Sequence, residues 1–246
     1  MSHGGMPDLT VPSRFCGPAG SANGGYMCGL VAGYLDGPAT VTLHRPPPLT
    51  TPMSVEADGD GSLRVQHGDT VVAAAAPAHD NPPLRVPDAV SAAEAHAASG
   101  RARYFEEPMF PTCFVCGPQR SPGDGLRIFP GPVPDRSVWA APWTPDASVS
   151  HDGRTVPPEI AWAALDCPSG IAAAEAVDVG PDTAILLGRM TARVATLPAV
   201  GEEYRVVAWL IGRDGRKLTA GSALLGRGGQ VLAAARAVWL TVPRSS

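Results

Sequence analysis

Two segments of the chain share one outline. Residues 21–35, SANGGYMCGLVAGYL, and residues 155–175, TVPPEIAWAALDCPSGIAAAE, each place a helix start directly before an apolar run at helical spacing. The first carries a glycine pair and no acid, and the second carries an acid and lacks the glycines. The flanking segments match loosely as well. VTLHRPPPLTTPMSVEAD and MTARVATLPAVGEEYRVV each set an Arg and a Pro-interrupted bend between two strand-like runs, and Ala-rich VVAAAAPA and VLAAARAV follow in turn. An internal repeat at low identity is the economical reading.

The element order agrees with a repeat. Residues 25–35 read as a helix, and the next two runs as strands joined by DGDGS. DNPPLRVP at residues 80–87 reads as a linker, followed by an exposed, Ala-rich helix in DAVSAAEAHAASGRAR that closes near Gly100. Beyond this seam GLRIFPG and SVWAAPWTP read as strands, residues 157–174 as a helix, and the remainder as strands separated by the hairpin signals GRDGRK and GRGGQ. Three parts result: an N-terminal half at 1–79, a linker with its helix at 80–110, and a C-terminal half at 111–246.

Composition excludes several classes of function. With 246 residues, 44% of them apolar, the chain can bury a core. A net charge of -4 without any basic run argues against nucleic acid as a partner. No apolar stretch approaches the roughly 18 to 20 residues of a membrane span, and MSHGGMPDLT lacks the features of a secretory signal. Five cysteines at irregular spacing fit a reducing compartment, so a cytoplasmic protein with free thiols is expected.

CFVCGPQRSPGDGLRI, residues 113–128, resembles the CxxCG, short loop, GL and strand that open many hotdog-fold thioesterases of the phenylacetyl-CoA type. In that family an HGG helix start is followed, nine residues after the His, by an acid in a LAD-like context. Here Leu165 and Asp166 supply that context, with Asp166 nine residues after Pro157. In the first half Asn23, Gly24 and Gly25 stand at the HGG positions, and the ninth residue on is Ala32. Asn23 departs from the family's His, and Pro158 and Glu159 depart from its glycines. The resemblance covers most of 113–242 and, more weakly, 15–78. It implies an α+β double hotdog, with two long helices each wrapped by a curved antiparallel sheet. It also implies an acyl-CoA thioesterase, a hydrolase acting on an acyl-CoA or acyl-carrier-protein thioester. The chain would be a monomeric pseudo-dimer or would pair again as a homodimer of double hotdogs.

Thioester hydrolysis needs a holder for the carbonyl oxygen and a group that activates water. A glycine-bearing helix N-terminus offers free N–H groups and a favourable dipole. Gly24 and Gly25 fit that role, with the Gly25 N–H as oxyanion donor and the Asn23 side chain either capping the helix or touching the carbonyl. On the second helix Ile160, Ala164, Cys167 and Ile171 share one face, and Glu159, Trp162 and Asp166 lie opposite. Asp166 therefore points to the other half, where a carboxylate next to Trp162 acts as base or nucleophile. Ser169 could orient a water there, although the hydroxyl that does so in relatives lies four residues after the acid, where this chain has Gly170.

Gly25 and Ala32 are seven residues apart, about 10 Å along one helix, too far to serve one carbonyl. A working site must join Gly25 of one helix to Asp166 of the other, and Glu159 with Ala32 leaves a degenerate counterpart. No cofactor is expected. The CxxC of Cys113 and Cys116 is read as a structural turn with no metal, zinc and a redox pair being its other uses. Arg45, Arg120, Arg189 and Arg193 are candidates for coenzyme A phosphates. Two rivals stand beside the hydrolase. One is a hydratase or dehydratase using His44, and the other is a non-catalytic acyl-CoA or ligand-binding protein that kept the tunnel and lost the chemistry.

Overall fold

A computed structural model of the chain describes residues 6–78, 84–87 and 90–244. The boundary expected at 79/80, the first residues of the linker and the start of DAVSAAEAHAASGRAR at 88–89 lie outside the described residues. Three α-helices are present among those described: α1 (Gly24–Ala32), α2 (Ala92–Ser99) and α3 (Pro158–Ala176). Ten strands accompany them. The first four are β1 (Ala39–Leu43), β2 (Ser54–Ala57), β3 (Leu63–His67) and β4 (Thr70–Pro77). After α2 come β5 (Gly131–Pro132), β6 (Trp139–Trp143), β7 (Thr183–Val194), β8 (Tyr204–Asp214), β9 (Lys217–Leu225) and β10 (Val231–Pro243). No described helix is long and apolar enough to cross a membrane.

The strands form one antiparallel sheet in the order β2-β3-β4-β1-β7-β10-β9-β8-β6-β5. All strands before the seam lie on one side, all strands after it on the other, and β1 with β7 makes the junction, Ala39 opposite Ala192 and Thr42 opposite Arg189. At that junction the Thr40 and Thr191 hydroxyls are 2.8 Å apart. Both hairpin signals hold: GRDGRK turns β8 into β9 at Gly215, which has φ 54°, and GRGGQ turns β9 into β10.

The α+β class is as expected, whereas the two helices on the repeat positions are unequal. α3 has 19 residues and α1 only nine. Gly33 ends α1, and the last turn tightens as the Tyr34 and Leu35 N–H groups reach back to Val31 and Ala32. Gly37, at φ 76°, and Pro38 then lead the chain into β1. α1 and α3 pack against each other on one face of the sheet, around Met27, Val31, Ile160, Leu165, Met190 and Leu224.

α2 covers the opposite face. On β6, β8 and β9 the residues Ala141, Val206 and Leu224 join the α1–α3 core, and their neighbours Ala140, Val207 and Ala223 pack with Ala95 and Ala98 of α2. The expected exposed helix is thus half buried. Its two buried alanines let it lie flat, and burial on both faces explains why VVAWL reads as continuous apolar sequence. GLRIFPG also differs from expectation, contributing only Gly131 to a strand. Leu126 and Ile128 donate instead to the carbonyls of Phe114 and Val115, and Pro130 and Pro132 lack the N–H groups a ladder needs.

α3 runs unbroken through Pro168. The ring removes a helix donor, and Ser222 of β9, fully buried, donates its hydroxyl to the nearby Leu165 carbonyl at 2.7 Å. Ser222→Ala removes this donor and is expected to cost about 0.5–1.5 kcal/mol, the net worth of one hydrogen bond. The measurement is the denaturant midpoint at unchanged m-value; an unshifted midpoint would show that the bond contributes nothing.

Candidate active site

Asn23 caps α1: its Oδ1 accepts from the Tyr26 N–H at 2.9 Å. That bond orients the amide and directs Nδ2 toward α3, where it donates to Asp166 Oδ2 at 2.9 Å. The Gly25 N–H donates to the same oxygen, also at 2.9 Å. Asp166 is 2% exposed, and its Oδ1 has no hydrogen-bond partner. Burial pushes its carboxyl up to about 7, opposed by the bond from Gly25, assisted by the charge of Cys113 and opposed again by Asn23.

Glycine makes this approach possible. A methyl group on Gly25 would sit 2.9 Å from both Cγ of Asp166 and the Trp162 carbonyl, and closer still to the Asp166 Cβ. One turn later, a methyl group on Gly29 would meet the backbone and Cβ of Glu159 and the Cβ of Trp162. Gly25 and Gly29, four residues apart, form the groove that receives α3. Gly24 turns elsewhere, toward the half-buried Leu43 of β1 and Leu187 of β7.

Gly25, Asn23, Asp166 and the buried Trp162 therefore come together, Trp162 through its backbone and Cβ. Ser169 does not join them. Its hydroxyl donates to the Asp166 backbone carbonyl at 2.7 Å and accepts from the Trp239 indole at 2.9 Å. The second meeting of the helices sets Glu159 against Gly29, with the exposed His151 at 3.4 Å from the Glu159 carboxylate. Among the candidate arginines, Arg120 is committed to Asp124, Thr112, Arg14 and Cys16, and Arg189 donates to Thr42. Arg193 lines a cavity with Leu84, Val86, Leu232 and Arg236; this cavity and another beside Arg127 and Trp143 do not touch Asp166.

Cys167 is the neighbour that sequence reasoning missed. Helical spacing set it with Ile160 and Ile171, yet its partly buried thiol lies 3.6 Å from both the Cys113 thiol and the Asn23 amide. Its position next to Asp166 in sequence was the available signal. Bonds from the Cys116 and Cys167 thiols and from the Cys116 and Val115 backbone hold the Cys113 thiol well below the usual range, and its two partners are raised.

No protein-family model matches the chain, and no curated protein matches it in sequence. Solved structures do match in fold. A candidate thioesterase II from Thermobifida fusca superposes with a TM-score of 0.61 at 12% identity, over 96% of this chain and 91% of that one. A candidate thioesterase from Novosphingobium aromaticivorans gives 0.58 at 13% identity, over 95% and 94%. An acyl-CoA thioesterase II from Mycobacterium marinum gives 0.55 at 14% identity, over 92% and 93%. This chain shares the fold of these proteins over most of its length.

Proposed function

We propose that the chain is a thioester hydrolase built as a double hotdog, its halves at 1–79 and 111–246 meeting in one composite site. The observation that carries the reading is the carboxyl of Asp166, brought from α3 to the Gly25 N–H and the Asn23 amide at the start of α1. Asp166 acts as the base. It takes a proton from a water as the oxygen attacks the thioester carbonyl carbon, and the Gly25 N–H transfers from the carboxylate to the developing oxyanion. When the C–S bond breaks, the thiolate recovers the proton from Asp166. Asn23 keeps the carboxylate aimed, and Leu43 and Leu187 beside Gly24 offer an apolar surface for the acyl group.

The substrate class is an acyl-CoA or an acyl-carrier-protein thioester, consistent with the acyl-CoA thioesterase among the proteins of the same fold. One site per chain follows from the unequal helix meetings, because Glu159 faces Gly29 and no acid stands at Ala32. A second reading, a non-catalytic acyl-binding protein, is favoured by one observation: Asp166 itself occupies the Gly25 N–H. Free-thiol release from a panel of short, medium, long and aromatic acyl-CoAs separates the two, with blanks for the protein's own five cysteines. Turnover of any member supports the hydrolase; tight binding with no turnover across the panel selects the second reading.

A further inference from the structure

We propose that Cys113, Cys116 and Cys167 bind one thiophilic divalent cation of the zinc type, with an exchangeable water in the fourth position. The CxxC by itself offers two ligands, too few for such a site. α3 supplies the third: the three sulfurs all lie within 4.8 Å of one another. A tetrahedral ion with Zn–S bonds of about 2.3 Å holds its sulfurs about 3.8 Å apart. The Cys113 and Cys167 sulfurs already stand at 3.6 Å.

The loop is shaped for the same purpose. The Gly117 N–H closes the turn onto the Cys113 carbonyl at 2.8 Å, and any side chain at Gly117 would collide with the Cys113 and Pro111 backbone. The Asn23 amide lies against the edge of the cluster, 3.9 Å from Cys113 and 3.6 Å from Cys167, so it also donates toward the ligand sulfurs. Cys167 is the least buried of the three.

No fourth His, Cys, Asp or Glu joins the group among the described residues. Asp166 Oδ2 lies 4.0 Å from the Cys167 sulfur but outside the set. Three protein ligands with one open place is the arrangement of zinc sites that exchange a ligand. Binding displaces the thiol protons to solvent, so no oxidant or reductant is needed. The proposal does not depend on the hydrolase reading, and its test reads metal and thiols, not turnover.

The full chain, expressed with zinc and purified without chelator, is expected to hold about one zinc per chain by elemental analysis. Cys16→Ser is expected to keep it, and Cys113→Ser and Cys167→Ser to fall below about a tenth of that content. If either variant fails to fold, cobalt titration of metal-free wild type decides. A sulfur-to-cobalt charge-transfer band and tetrahedral ligand-field bands, saturating at one equivalent and shifting when azide is added, support the site. Wild type without zinc and without these bands overturns the proposal, as does a Cys113–Cys167 disulfide in protein purified without reductant that takes up no metal.

Discussion

Asp166→Asn is expected to lower thioester turnover by at least about a hundredfold, the scale for losing a positioned base. The fold should persist. The amide oxygen of Asn accepts from the Gly25 N–H and the Asn23 amide as Oδ2 of Asp166 does, and the substitution adds no volume to a position that is 2% exposed. The comparison is made on kcat, with circular dichroism and thermal unfolding showing that the variant is folded. Wild-type turnover in a folded Asp166→Asn protein would remove Asp166 from the mechanism and leave it as a buried tie between the helices.

Gly25→Ala is expected to damage stability and activity together. Alanine is the better helix former by about 0.5–1 kcal/mol, which works in the variant's favour. Against it, the new methyl group collides with Asp166 and the Trp162 carbonyl, and overpacking of this kind costs about 1–3 kcal/mol. The displaced helices also lose the bond from Gly25 to Asp166, a charge-assisted bond of about 1.5–3 kcal/mol. The unfavourable contributions win. A fall of several degrees in Tm together with loss of turnover is the expected result; a variant as stable as wild type would show that α1 and α3 can slide apart at no cost.

Much of the fold was legible in the residues. Helix starts at Asn23 and Pro157, the hairpins at GRDGRK and GRGGQ, and the approach of Gly25 to Asp166 are local chemistry or simple geometry on a helix. What the sequence concealed depends on neighbours distant in the chain. A glycine before a helix reads alike whether its N–H faces a ligand or a carboxylate, so the occupancy of the Gly25 N–H by Asp166 was invisible. Cys167 meets Cys113 across 54 positions, and no periodicity announces that meeting. Ala95 and Ala98 are too small to signal a buried face, and α2 therefore looked solvated. GLRIFPG has strand-like residues, yet Pro130 and the following Pro132 decide against a ladder.

The bond from Gly25 to Asp166 spans 141 positions, and β1 finds its second partner only in β7. On the ribosome the first half therefore emerges long before anything that completes it. Until residue 194 has been made, β1 is a bare edge whose N–H and C=O groups invite pairing with another chain. Loop closure over such a distance is slow compared with the local hairpins. The contact between Gly25 and Asp166 consequently forms only after α3 has been made. A chain terminated before α3 carries Gly25 without Asp166.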